Sequence, residues 1–346
     1  MSGPLGVGVI GAGPVTQAIH IPALATLPER LQVRHIMDVD QSVATEVARR
    51  VGARASTDVQ SVLDDPAVDI VAICSPPQFH ADQVAAACEA GKKAILCEKP
   101  LATSAEEAHR IAQASRSSGV PIIVGTMHAY DPAYVAASHA WSGLDETATL
   151  VRSVIYLPPN DEMVALATDL VAAPAPPRAS ASDPSARAAQ AARMRTAILG
   201  LAIHNIPLVR QLFGSRVDVK NARVLVPFGY LLTLANGERS AQMLGFMPGA
   251  WQPDWTLQAW GEDAVLHVGF PPSYVLAGSA TAELSSSGAR SVWQYPENGY
   301  QAEWRHTADV AERVAKPSIT LKDVVDDLLF ALDIADGAAR LIQEQP

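Results

Sequence analysis

The stretch Val-Ile-Gly11-Ala-Gly13-Pro-Val-Thr16 joins an apolar, β-rich run, Leu5–Ile10, to a segment of helical periodicity. Gly11 permits a tight reversal, and Gly13 lets a ligand approach the backbone. Pro14 suits a first helical turn, where its missing N–H costs nothing. With Val15 beside it, the turn aims unpaired helix N-terminal amides at one point, which favours an anion such as a pyrophosphate. A strand feeding a crossover helix in this way commits the chain to a parallel sheet.

The pattern repeats up to about Thr126. Strands are predicted at Gly6–Gly11, Gln32–Asp38, Asp69–Cys74, Lys93–Cys97 and Pro121–Gly125, with helices at Val43–Val51, Ala81–Ala90 and Ala105–Ser118. Residues 1–126 therefore read as a doubly wound dinucleotide-binding domain. After Tyr130, strand-like runs at Leu150–Leu157, Asp218–Val226, Tyr230–Ala235, Ala241–Phe246 and Thr256–Trp260 predict an α+β domain over residues 127–346, built on a large open, mainly antiparallel sheet. Within it, 171–193 is rich in Ala, Pro, Ser and Arg and is expected to be a mobile insertion. The apolar stripe of residues 323–343 predicts a final helix packed at the domain interface.

Composition excludes several functions. A net charge of -10 with 26 basic residues argues against a nucleic-acid partner. The three cysteines, Cys74, Cys88 and Cys97, are odd in number and have no Cys-x-x-Cys spacing, so neither a disulfide framework nor a metal site is expected. No apolar run is long enough for a membrane helix. A cytoplasmic protein is the expectation.

Asp38 closes the second strand run twenty-two residues after Thr16, where a carboxylate could accept from ribose hydroxyls. No arginine follows at 39–41, which favours NAD over NADP, though NADP stays possible. Thr16 replaces the third glycine of the usual fingerprint.

At Cys97-Glu98-Lys99-Pro100-Leu101-Ala102 the sequence resembles the Gfo/Idh/MocA family of NAD(P)-dependent oxidoreductases. The glycine turn, Ile19-His20-Ile21-Pro22-Ala23-Leu24 and Ser75-Pro76-Pro77-Gln78-Phe79-His80 carry the resemblance in the same order. It implies a Rossmann domain, an open-sheet C-terminal domain and reversible oxidation of a sugar or cyclitol hydroxyl. It also implies that Glu98 lies beside the cofactor and that Lys99 is catalytic. Ser75, Pro76 and His80 join Gly11, Gly13, Pro14, Val15 and Asp38 as expected cofactor contacts, whereas His20 is read as structural.

The family's Lys is joined by an Asp-x-x-x-His pair on a helix, expected here over Ile198–Leu212. His204 matches the histidine, but Gly200 stands four residues before it and Pro207 replaces a second aspartate. His204 is thus a catalytic and substrate-binding candidate without its usual carboxylate. Ala129 stands where many relatives carry arginine, and neighbouring Tyr130 is a further substrate-contact candidate. The leading expectation is an NAD(P)-dependent dehydrogenase or reductase acting on CH–OH groups, with Lys99 and His204 handling the proton. The alternatives are a non-catalytic cofactor-binding sensor or scaffold, or an imine reductase. A sugar-like substrate and a homodimer or homotetramer are expected.

Overall fold

The computed structural model describes residues 3–141, 143–172, 186–249 and 252–344. The chain forms two compact units. The first comprises Met1–Thr126, Val164–Pro176 and Tyr300–Val325, and the second Met127–Met163, Pro177–Gly299 and Asp326–Pro346.

Among its described residues the first unit holds six parallel strands: β1 (Leu5–Ile10), β2 (Leu31–Met37), β3 (Arg54–Ser56), β4 (Ile70–Ile73), β5 (Ala94–Glu98) and β6 (Ile122–Gly125). Their order is β3-β2-β1-β4-β5-β6, a doubly wound sheet whose connections reverse direction between β1 and β4. Strands β1, β4, β5 and β6 are buried at every position, as their unbroken apolar runs require when helices cover both faces. The short β3 escaped the sequence reading because Arg-Ala-Ser on an exposed edge carries no apolar pattern.

Local chemistry sets the helix ends. Asp40 accepts from the amides of Ser42 and Val43 to start Gln41–Val51, which Gly52 ends at φ 67°. Ser104 caps Ala105–Ser118, acidic Glu106 and Glu107 fill its first turn, and Gly119 ends it at φ 74°.

A single cut after residue 126 does not describe the first unit, because two later segments rejoin it. The Gln17 side chain holds the first by both backbone groups of Val171: Nε2 donates to its carbonyl at 2.8 Å, and Oε1 accepts from its N–H at 2.9 Å. The helix Gly299–Ala311 is anchored by Arg30, which donates to Asp309 at 2.7 Å and also pairs with Glu312.

Among its described residues the second unit holds eight strands: β7 (Leu150–Tyr156), β8 (Asp218–Val224), β9 (Gly229–Asn236), β10 (Arg239–Phe246), β11 (Asp254–Trp260), β12 (Ala264–Gly269), β13 (Thr281–Ser286) and β14 (Ala289–Trp293). The order is β14-β13-β12-β11-β7-β10-β9-β8, with every pair antiparallel except β7 and β10. One face is buried: Tyr230, Leu232 and Leu234 of β9 alternate with the exposed Leu231 and the half-exposed Thr233. The last helix, Leu321–Glu344, approaches β8 so closely that a Cβ at Gly337 would lie 2.7 Å from a Val219 methyl.

Two expectations are corrected here. The helix foreseen over Ile198–Leu212 is broken into Arg187–Gly200, a single 3₁₀ turn at Ala202–His204 and Ile206–Phe213, bent by 79°. Pro207 sits in the first turn of the last piece and cannot continue a helix arriving from upstream. Of the insertion 171–193, residues 173–185 lie outside the described residues, while Arg187–Arg193 is helical, as its alanine content favours. No single helix among the described residues is long and apolar enough to cross a membrane.

The register of β9 and β10 is pinned where the buried Tyr230 ring lies across Gly245, its cross-strand partner; a Cβ there would be 2.3 Å from the ring. Gly245→Val should therefore destabilise the protein by about 1–3 kcal/mol in urea titrations, the cost of forcing extra volume into a packed site.

Candidate functional site

In the first unit the loops at the carboxyl ends of the strands gather the sequence-selected residues. Gly11 has φ 96°, and a Cβ on it would lie 2.8 Å from the Cys74 carbonyl oxygen at the end of β4. Only glycine fits there. A Cβ on Gly13 would meet nothing within 4 Å, so packing does not demand glycine, and the space above the turn is open to a ligand. Thr16, in the third-glycine position, is fully buried and donates to the Gly11 carbonyl at 2.5 Å, which ties helix to turn by a hydrogen bond. The helix runs on through a π-turn at Thr16–His20, which rotates the later side chains relative to an ideal helix.

Asp38 does more than the sequence suggested. Its Oδ2 accepts from the Ala12 amide at 2.8 Å and its Oδ1 from the Asp40 amide at 3.0 Å. The carboxylate thereby supports the glycine turn, and each oxygen keeps lone-pair capacity for a ligand hydroxyl. Gln17, unnoticed in the sequence, braces the same turn by donating to the Ala12 carbonyl at 2.6 Å.

After β4, the Ser75 hydroxyl donates to Gln83 at 2.6 Å and Pro76 is exposed. His80 is expected from sequence on the cofactor side. It is fully buried, with Nδ1 2.9 Å from the Pro100 carbonyl and Nε2 2.8 Å from the Ser75 carbonyl, so it clips two loops together.

Glu98 ends β5 and is buried. Its Oε1 lies 3.0 Å from His20 Nε2, and its Oε2 accepts from the Lys99 backbone amide at 3.1 Å. Gly125 on β6 makes room: a Cβ there would sit 3.0 Å from Oε1. Burial works against the charge of Glu98, but the bonds from His20 and Lys99 outweigh it and hold the carboxyl below its ordinary value. For Lys99 burial dominates and lowers the proton affinity of the ammonium, opposed by the charge of Glu98. His20, read from sequence as merely structural, is thus the side-chain partner of Glu98.

The second unit builds a separate polar centre around Asn205, which the sequence reading missed. Its Oδ1 accepts from His128 Nδ1 at 2.9 Å and from the Trp255 indole at 3.0 Å, while Nδ2 donates to Ser153 at 2.9 Å. His128 must therefore carry its proton on Nδ1. It stacks on Phe270 with ring centroids 3.8 Å apart, and burial lowers its pKa to about 3 despite the Asn205 bond. His204 lies beside this centre, its ring edge-on to Trp255 at 5.3 Å and 6.4 Å from that of His128. The break after Gly200 means that these two residues do not share one continuous helical face, so the i, i+4 relation drawn from sequence fails. Tyr130 is buried. Asp131 after it caps Pro132–Ala140 and accepts from the Ala280 amide at 2.9 Å. Among the described residues no group of three or more His, Cys, Asp or Glu side chains could hold a metal.

Asn205→Ala would strip partners from three buried donors or acceptors at once. The expected loss of stability is on the order of 3 kcal/mol by chemical denaturation, against a smaller loss for Ser153→Ala, which removes one partner.

Residues 5–126 match a family described as an oxidoreductase family with an NAD-binding Rossmann fold. Among curated relatives, an inositol 2-dehydrogenase of Saccharopolyspora erythraea is 37% identical over 153 residues, covering 43% of this chain and 44% of that protein. A levoglucosan dehydrogenase of Pseudarthrobacter phenanthrenivorans is 37% identical over 141 residues, 38% of this chain and 36% of that protein. The chain thus spans less than half the length of these relatives. Among solved structures, a UDP-N-acetylglucosamine 3-dehydrogenase from Acidithiobacillus ferrooxidans superposes with TM-score 0.73 at 18% identity, over 98% of this chain and 99% of that one. A 3-ketoreductase from Actinomadura kijaniata, solved with NADP and TDP-benzene, gives TM-score 0.72 at 18% identity, over 96% and 98%. At such identity the likeness concerns the fold, and it extends over both units. Residues 5–126, with their glycine turn and Glu98-Lys99-Pro100, thus match the Gfo/Idh/MocA oxidoreductase family, and beyond them the likeness is one of fold.

Proposed function

We propose that this protein is an NAD(P)-dependent dehydrogenase or reductase acting on a secondary alcohol or ketone of a sugar, cyclitol or related small molecule. The observation that carries the reading is Lys99. It is an amine of lowered proton affinity on the loop after β5, in the same unit and at the same sheet edge as the glycine turn. The names of the curated relatives support the substrate class.

The residues present fit a dinucleotide. The open space over Gly13 and the first-turn amides that follow suit a pyrophosphate, and the half-buried Asp38 has acceptor capacity left for ribose hydroxyls. A carboxylate there would repel a 2′-phosphate, so we propose NAD as the better cofactor. The nicotinamide, when bound, supplies or accepts the hydride.

Lys99 Nζ takes the hydroxyl proton when an alcohol is oxidised and returns it when a ketone is reduced. Its lowered proton affinity makes the free amine available at lower pH than for an ordinary lysine, near 10.4 in unperturbed peptides. His204 is proposed as the second proton-handling and hydroxyl-binding group. Assembly into a dimer or tetramer is proposed through the open sheet face, where Leu231 and Val265 stand exposed. The three free cysteines suit a reducing, cytoplasmic setting.

Titration with NADH and NADPH, followed by absorbance-monitored turnover of inosose and keto-sugars, tests the reading; cofactor binding without turnover of any of them would overturn it. Lys99→Ala should keep NADH affinity and lose about a hundredfold or more in kcat. Glu98→Gln removes the charge that raises the proton affinity of Lys99. The Lys99 limb of the kcat/KM profile for alcohol oxidation should then move to lower pH.

A further inference from the structure

Nothing in the mechanism above uses the helix Gly299–Ala311, yet two adjacent residues of it reach the surroundings of Glu98. Trp304 is fully buried and its indole N–H donates to His20 Nδ1 at 3.1 Å. An indole N–H can only donate, so Nδ1 bears the lone pair and the ring proton sits on Nε2, where it is donated to Glu98.

Glu303 is fully buried as well, and neither carboxyl oxygen has a hydrogen-bond partner. The nearby Thr126 amide is engaged by the Val124 carbonyl at 2.6 Å. Solvent does not reach Glu303, so neither substrate nor cofactor would. An ionised carboxylate with no donor, close to a second carboxylate in a dry pocket, is strongly disfavoured. Burial, and then the charge of Glu98, outweigh the opposing effects of His20 and the nearby Thr126 amide and push the Glu303 carboxyl well above its ordinary value.

We propose that Glu303 and Trp304 are positioning residues that confine this cluster to one negative charge, carried by Glu98: Glu303 by staying a neutral acid, Trp304 by keeping the His20 proton on the nitrogen that faces Glu98. Lys99, whose backbone amide is bonded to Glu98, then feels a single fixed charge. The other titratable groups facing the cluster are Cys97 on β5, kept a thiol by burial, and Cys74 at the end of β4, which with Glu98 raises the proton affinity of His20 against its burial; the Trp304 N–H, a donor with no acceptor to offer, opposes a second ring proton at Nδ1. The inference deepens the assignment of Lys99 as the proton-handling group and rests on it for its catalytic consequence.

The test begins on the folded, ligand-free protein, where no turnover is needed. Infrared difference spectra of wild type against Glu303→Gln should carry the carbonyl band of a protonated carboxylic acid at neutral pH. A carboxyl whose folded value is raised helps folding fully below its unfolded value, about 4.3, and that help is lost as pH rises towards the folded value. Glu303→Gln should therefore gain Tm relative to wild type progressively as pH rises above that point. In ¹⁵N spectra of the histidines, His20 should show a bare Nδ1 and a protonated Nε2, a signature that Trp304→Phe abolishes. In turnover, freeing Nδ1 lets His20 become an imidazolium that offsets Glu98, so the Lys99 limb in Trp304→Phe should move to lower pH. A missing acid band or a Tm difference that does not vary with pH overturns the neutral acid, and an unmoved limb overturns the positioning role. Should no substrate be turned over, the infrared and Tm measurements still decide the state of Glu303, separately from the proposed activity.

Discussion

The first unit depends on one close approach, that of Gly11 to the Cys74 carbonyl where the strand order reverses between β1 and β4. At such a reversal the connections leave to opposite faces, and a crevice opens at the carboxyl ends of the strands. A Cβ at Gly11 would hold the two strand ends apart. Because it is absent, the glycine turn, the Ser75 loop and the Glu98 loop share one sheet edge. The hydrogen bonds Ala12 to Asp38, Thr16 to Gly11 and Gln17 to Ala12 then fix the turn from three sides.

Charge in this unit is arranged by burial. Glu98 sits at the end of a fully buried strand, where an isolated carboxylate would be expensive, and two donors compensate it. The same dry surroundings depress the proton affinity of Lys99. One environment thus keeps an acid charged and lowers the proton affinity of an amine, because the donors to the acid outweigh its burial while burial outweighs the charge beside the amine. In the second unit a neutral amide does the organising: Asn205 offers both an acceptor and a donor, and so satisfies an imidazole, an indole and a hydroxyl without introducing charge.

Much of the first unit was legible in sequence because its signals are local. A strand buried on both faces reads as an apolar run, and helix starts are written in single capping residues such as Asp40 and Ser104. The glycine turn and Glu98-Lys99-Pro100 sit at strand ends that those runs delimit. What escaped notice depends on distant partners. Edge strand β3 and the late strands β12 to β14 carry weak alternation, with β14 half-exposed or exposed at every position. Asn205, Gln17, Glu303 and Trp304 have no motif, since their roles come from groups far away in the chain.

The sequence by itself determined the parallel sheet, the glycine turn and the loop bearing Lys99, because strand periodicity and backbone conformational limits act over a few residues. Only the tertiary structure decided that Asp38 braces the turn, that His80 is a clip and that His204 lies in a 3₁₀ turn after a broken helix. It alone brought His20, Trp304 and Glu303 to Glu98. Burial and hydrogen-bond partnership set these roles, and both are properties of groups brought together from separate stretches of the chain.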